Sequence, residues 1–210
     1  MVKEQKGQRL VAYPPIERHG VIGDRRTAAL VAADGTVDWL CLPDYDGDAI
    51  FGSVLDVELG GFWRIGPREP VFGRQRYLEK TAVLVTEWDL STGKLELCDA
   101  MPWPDDLRQH EESGRCILRR VRCLSGRVAI SCQFQPRPNF QSMAKTERAE
   151  AGGLTFWQGD TEYVFWSSLP VEQAEGALCA SLELREGEVH WAIFGAGGET
   201  PAGSAKELEA

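Results

Sequence analysis

The chain has 210 residues, and its 43% hydrophobic and 26% charged content is typical of a globular protein rather than a disordered one. Its net charge of −9 argues against nucleic-acid binding, because displacing counterions from phosphates requires a positive field. Residues 1–9 are polar and unlike a signal peptide, and no stretch reaches the roughly 18 apolar residues of a membrane span. We therefore expect a cytoplasmic protein without nucleic-acid or membrane partners.

Strand-like stretches separated by turn residues dominate the chain. Asp34-Gly35 lies between two such stretches and favours a tight hairpin, because a type I′ turn requires positive φ at both central positions. Residues 91–93 and the pair Ser125-Gly126 separate two further pairs of strands. The predicted hairpins are 27–33 with 36–42, 81–90 with 94–101, and 116–124 with 127–135.

Helical patterns are scarce in comparison. Residues 51–59 fit either a short helix or a strand, and residues 205–210 are helix formers that follow a breaker rich in glycine. A dozen or more short strands predict an all-β fold, a large antiparallel two-sheet sandwich with little helix. Four later strands are predicted at 153–158, 162–168, 177–184 and 189–194.

Cysteine, histidine, tryptophan and arginine each have a structural interpretation. The six cysteines form no Cys-x-x-Cys pair and the three histidines show no ligand spacing, so we expect reduced core thiols and no metal. The seven tryptophans are expected in the core or in packing between modules. We interpret the one basic cluster as the solvated face of a strand pair; it comprises Arg119, Arg120, Arg122 and Arg127.

The loop at residues 43–51 is the strongest candidate for a functional segment. Asp44, Asp46 and Asp48 resemble the opening of an EF-hand, but Ala49 and Leu55 stand where that loop needs glycine and a bidentate glutamate. Three carboxylates so close must be solvated, bind a cation or meet donors from elsewhere. The loop is either a solvated connector or a segment whose carboxylates accept hydrogen bonds from sugar hydroxyls.

A second candidate is Trp103, in a proline-rich segment with Asp105 and Asp106. It could serve as an aromatic shelf for a sugar, but a plain proline-rich connector is the preferred interpretation. Glycoside hydrolysis needs two facing carboxyl groups, and the sequence alone brings no two together. No nucleophile, phosphate-binding or dinucleotide motif is present, so we predict no catalytic residue and no cofactor.

Several blocks of the chain, in order, resemble glycoside hydrolase family 15, the bacterial and archaeal glucoamylases, glucodextranases and trehalases. The densest blocks read IGDRRTAALV (22–31) and DGTVDWLCLP (34–43). A further block at 51–56 has Val54 in place of the usual leucine. The other matching blocks are residues 99–102, 119–121 and 136–140.

The resemblance implies an amino-terminal β-supersandwich module that a helical linker joins to an (α/α)₆ barrel. In that family the barrel carries both catalytic glutamates and inverts the anomeric centre, so the catalytic residues match no position of this sequence. The implied division is a polar segment at 1–12, the β-supersandwich at 13–197 and the start of the linker at 198–210.

Two functions are compatible with these features. The chain is either the non-catalytic module of a glucoamylase- or trehalase-like enzyme, bracing its barrel, or a free-standing scaffold that binds carbohydrate or protein. The expected partners are the barrel of the same parent chain and α-glucan or trehalose. A module built to pack on a barrel should expose an apolar patch, through which we also expect homodimers.

Overall fold

A computed structural model describes residues 11–102, 115–141, 146–148, 154–174 and 176–196. Its fifteen strands confirm the all-β fold, and the helix among the described residues is confined to short 3-10 turns at Ile16–Arg18 and Pro138–Phe140. The strands are β1 His19–Gly23, β2 Ala28–Ala32, β3 Thr36–Leu42, β4 Asp48–Phe51, β5 Phe62–Pro67, β6 Arg74–Tyr77, β7 Leu84–Leu90, β8 Gly93–Ala100, β9 Arg115–Gln135, β10 Thr146–Arg148, β11 Leu154–Gln158, β12 Thr161–Ser167, β13 Glu172–Ala174, β14 Ala177–Arg185 and β15 Val189–Ala196.

The strands form two antiparallel sheets that share β9. The first sheet has the order β1-β2-β3-β5-β9-β14-β13, and β4 also pairs with β3. The second sheet has the order β6-β7-β8-β9-β15-β12-β11-β10. The predicted hairpins β2–β3 and β7–β8 are confirmed, as are the four later strands β11, β12, β14 and β15.

The third predicted hairpin is wrong, because residues 115–135 form one continuous strand. Its first half pairs with β8 and β15, and its second half pairs with β5 and β14. Gly126, at φ +70°, lies where the strand passes from one sheet to the other, and a Cβ there would approach the Thr92 oxygen to 2.4 Å. Glycine therefore permits a bend rather than a chain reversal.

The two sheets pack face to face through an aromatic core. The Trp63 indole, on the first sheet, lies edge-on to Phe165 and Phe194 of the second, with ring centroids 5.7 and 6.3 Å apart. Phe134 of β9 lies 5.0 Å from Phe194. Rings in these arrangements gain about 0.5–1.5 kcal/mol beyond the burial of their area. This contact holds the two sheets together.

A charged pair lies inside this core. The Arg119 guanidinium is bonded to the Asp99 carboxylate at 2.8 Å and to the backbone oxygens of Trp63 and Gly35, and it stacks over the Trp63 ring. Both side chains are fully buried. The solvated-face interpretation is therefore wrong for Arg119, whose partner lies on β8 and cannot be recognised from sequence. It remains right for Arg122 and Arg127, which are exposed.

Residues 51–59 form neither the helix nor the strand that the sequence left open. β4 ends at Phe51, and the chain then makes turns through residue 59, closed by a bond from the Gly60 amide to the Asp56 oxygen. All six cysteines are free thiols. No helix in the described part of the chain is long and apolar enough to cross a membrane.

Candidate functional site

We call residues 43–51 the acidic loop. This segment leads from β3 into β4 at one end of the sandwich. Backbone hydrogen bonds fix the loop: the Tyr45 amide donates to the Arg26 oxygen at 2.9 Å, and within the loop the Gly47 amide donates to the Asp44 oxygen at 3.0 Å. A Cβ at Gly47 would lie 2.4 Å from the Leu42 oxygen, so the tight return into β4 requires glycine. The loop is therefore an ordered feature rather than a slack connector.

The three carboxylates of the loop have different surroundings. Asp44 accepts a 2.7 Å hydrogen bond from Arg26 and lies 3.9 Å from the Arg115 guanidinium. Asp48 accepts a hydrogen bond from the Asn139 side-chain amide. Asp46 is exposed at the tip. Two of the predicted substrate-loop residues thus meet donors from elsewhere in the chain, which leaves Asp46 as the carboxylate presented to solvent.

The described part of the chain contains no ready set of metal ligands. No group of three or more histidine, cysteine or acidic side chains there could hold an ion. Asp44 already pairs with an arginine and Asp48 with an asparagine, so the carboxylates of the loop do not converge on a common ion site. The other predicted site residue, Trp103, lies outside the described residues, as do Asp105 and Asp106.

The turn that supports this loop was not predicted from the sequence. Asn139 and Phe140 both have left-handed backbones, with φ of 51° and 63°. Asparagine tolerates that conformation, but an aromatic residue rarely adopts it. The Phe140 ring lies against Gly52, where a Cβ would be 2.9 Å from its Cζ. The only signal in the sequence was the family-like block at 136–140, which indicates resemblance but no role.

An exposed apolar patch is formed by two adjacent segments, residues 13–16 and 52–60. The Tyr13 hydroxyl accepts a 3.1 Å hydrogen bond from the Val57 amide, which places the two segments together. The side chains of the patch are 52–65% exposed. They are Tyr13, Ile16, Leu55 and Leu59.

Beneath that patch, His19 and Asp38 form a buried pair. The His19 Nε2 lies 2.8 Å from the Asp38 carboxylate and Nδ1 lies 3.0 Å from the Pro15 oxygen. Both partners are acceptors, so a doubly protonated ring satisfies both bonds. Hydrogen bonding to Asp38 raises the pKa of His19, which favours that charged form. The pair fastens the segment before β1 onto β3.

Four aspartates are buried among the described residues, and each has a structural partner. Asp24 accepts bonds from the Arg26 and Thr27 amides, and Asp34 accepts one from the Thr36 amide. Asp38 is bonded to His19, and Asp99 to Arg119. No described glutamate is buried. Among the described residues every buried carboxyl group is thus engaged in a structural bond, including that of Asp99, whose pKa is raised by burial.

The comparison with known proteins decides the family. A family model described as "Trehalase-like, N-terminal" matches residues 8–171. The chain belongs to the trehalase-like N-terminal family. This confirms the predicted resemblance to the amino-terminal module of a trehalase-type glycoside hydrolase.

Curated relatives of this family member are named trehalases. The chain is 32% identical over 185 residues to one from Thermoplasma volcanium, which covers 86% of this chain and 29% of the relative. It is 34% identical to one from Mycolicibacterium smegmatis, and the match covers 64% of this chain and 22% of that relative. It is 32% identical to one from Mycobacterium tuberculosis, and the match covers 71% of this chain and 24% of that relative. The chain thus spans less than a third of the length of these relatives.

Proposed function

We propose that this chain is the non-catalytic N-terminal module of a family 15 glycoside hydrolase that cleaves an α-glucoside such as trehalose. Its role is to support the folding and packing of an (α/α)₆ catalytic barrel in the cytoplasm. The observation that carries the proposal is that every buried aspartate of the described residues is bonded to a backbone amide, an arginine or a histidine. These carboxyl groups hold the sandwich together, so we assign none of them to a catalytic acid–base pair.

Inverting hydrolysis requires two carboxyl groups that are not already engaged in structural bonds. It needs an acid and a base about 6.5–9.5 Å apart with a water between them. Asp24 and Asp34 bond to backbone amides within their own turns, and Asp99 lies between the sheets against Arg119. The loop carboxylates Asp44 and Asp48 are likewise bonded to other residues. The proposed enzyme therefore takes its acid and base from another module.

Two surfaces support a neighbouring module. The apolar patch exposes four large side chains on adjacent segments, as interface cores do. The last described residue of β15, Ala196, pairs with Arg115, whose guanidinium lies 3.9 Å from Asp44. The carboxyl end of β15 therefore lies beside the acidic loop. We propose that Asp46 leans over the sugar pocket of the barrel and accepts hydrogen bonds from hydroxyls.

The test is a domain exchange with the Thermoplasma volcanium relative. The matched segment of that protein is replaced by this chain, and glucose release from trehalose is measured beside the intact relative and a variant lacking the segment. We expect the exchange to restore soluble, active protein and the deletion to lose it. A deletion variant as stable and active as the intact relative would contradict the supporting role and favour a free-standing scaffold.

A further inference from the structure

The outer face of the second sheet is unusual because it carries tryptophan. Residues alternate between faces along a strand, and Phe156, Tyr163 and Phe194 point into the core, where their rings stack. Residues an odd number of positions away on the same strands consequently point outward. Three of these outward residues, on β11, β12 and β15, are tryptophans, which we call the tryptophan stripe: Trp157, Trp166 and Trp191.

The strand register places these three side chains along a diagonal of the sheet. Trp166 lies opposite Ile193 on β15, two residues from Trp191, so the two indoles are diagonal neighbours. Trp157 lies opposite Glu162, four residues before Trp166, which is roughly 14 Å along the strand at about 3.4 Å per residue. Val164, at the position between them, and Ile193, opposite Trp166, are buried among the larger side chains. The stripe is long and narrow.

Exposure and polar groups along the stripe differ from those of an ordinary hydrophobic face. Trp157 is 49% exposed, and Trp166 and Trp191 are half-buried. Arg120 lies over the Trp191 ring at 5.8 Å and is bonded to Glu96 at 2.9 Å. Hydrogen-bonding groups of both charge signs therefore border the indoles, with Glu162 at one end and Arg120 and Glu96 at the other.

We propose that the tryptophan stripe binds a neutral oligosaccharide, an α-glucan chain, at a site separate from any catalytic pocket. An indole offers a flat apolar face on which the C–H face of a pyranose ring stacks, while the bordering polar side chains can bond to hydroxyls. Flanks that carry both charges suit a ligand without net charge. The choice of an α-glucan rests on the proposed function; binding of a sugar at this face does not.

Area argues against a protein partner at this position. A stable protein interface needs about 800 Å² from each side with an apolar core, whereas one tryptophan contributes at most about 250 Å². Trp157 is the one member of the stripe that is largely exposed, and Glu162 faces it across the strand pair. The exposed aliphatic side chains of the apolar patch, Ile16, Leu55 and Leu59, lie on segments that flank strands of the first sheet.

The proposal is tested by titrating the purified 210-residue chain with maltoheptaose, following tryptophan fluorescence and calorimetric heat. We expect saturable binding, and Trp157→Ala should weaken it by at least about tenfold, because this variant removes the most exposed aromatic contact of the stripe. Trp157→Phe should retain part of the affinity. The matched control is Phe72→Ala, an aromatic that is 40% exposed away from the stripe and should bind normally.

Three outcomes would overturn the proposal. The first is an absence of saturable signal up to the solubility of the sugar in a chain whose circular dichroism shows it folded. The second is binding that Trp157→Ala leaves unchanged. The third is dimerisation of the free chain that Trp157→Ala abolishes, which would assign the stripe to protein contact. None of these results depends on trehalose hydrolysis, so the binding site and the supporting role are tested separately.

Discussion

The core pair and the acidic loop show opposite uses of carboxylate charge. Asp99 is fully buried, and the Arg119 guanidinium that holds it also bonds to two backbone oxygens. Asp46, at the tip of the loop, faces solvent. A buried charge must be neutralised by its partners, whereas an exposed one remains available to a ligand. The interior charges therefore stabilise the fold, and recognition is to be sought at the surface.

The largest expected effect breaks the core pair. Arg119→Met leaves Asp99 buried without its cation and should lower the free energy of unfolding by about 3–5 kcal/mol, measured by urea denaturation. The double variant Arg119→Met, Asp99→Leu should recover much of that loss, since both charges are then removed. The matched control, Arg122→Met on the exposed face of β9, should stay within about 0.5 kcal/mol. A stable single variant would show that the pair is dispensable.

A smaller effect is expected at His19, which lies between the core and the surface. Because its pKa is raised in the folded state, its stabilising contribution is complete below the unfolded pKa of about 6.5 and is lost as pH rises through the folded pKa. His19→Gln should cost about 1–3 kcal/mol at pH 5.5 and less at pH 9. Urea midpoints across that range measure the difference. An equal loss at every pH would show that the ring is not charged.

The edge of the first sheet should respond more weakly. The Tyr77 hydroxyl donates to the Val21 oxygen at 2.8 Å and accepts from the Val21 amide at 2.9 Å, which occupies the free backbone of β1. Tyr77→Phe should cost about 1 kcal/mol and promote self-association through the exposed edge. Light scattering and urea denaturation measure the two effects. Tyr45→Phe, on the acidic loop, is the control, and an equal response from it would remove the special role of Tyr77.

The smallest effect on stability is expected at the tip of the acidic loop. Asp46→Ala should change the free energy of unfolding by less than about 0.5 kcal/mol, because the side chain is exposed. In the exchanged Thermoplasma relative it should raise KM or lower kcat for trehalose while leaving Tm unchanged. Asp44→Ala, which removes the bond to Arg26, should instead lower Tm. Unchanged kinetics for Asp46→Ala would reduce the loop to a solvated connector.

Local signals predicted the fold where turn chemistry and strand pattern agreed, as at Asp34-Gly35. They failed at Gly126, because a glycine with positive φ serves a bend as well as a turn, and only pairing with distant strands distinguishes the two. The strand β6, with the sequence RQRY, was not predicted because its exposed, polar residues show no alternation. Pairing with β7 defines it.

The candidate site was predicted in part for a similar reason. The acidic loop is visible in the sequence because its residues are contiguous, whereas its partners Arg26, Arg115 and Asn139 come from three other elements. Arg119 resembled its surface neighbours because burial depends on which face of β9 points inward. The tryptophan stripe likewise becomes apparent only once the strand register is known.

The most direct test of the account is glucose release from trehalose by the purified 210-residue chain. We predict a rate equal to the buffer blank, because the buried aspartates of the described residues are engaged in structural bonds. Turnover that survives purification to homogeneity and disappears in Asp38→Asn or Asp24→Asn, with the fold preserved by circular dichroism, would contradict the account and make this module catalytic.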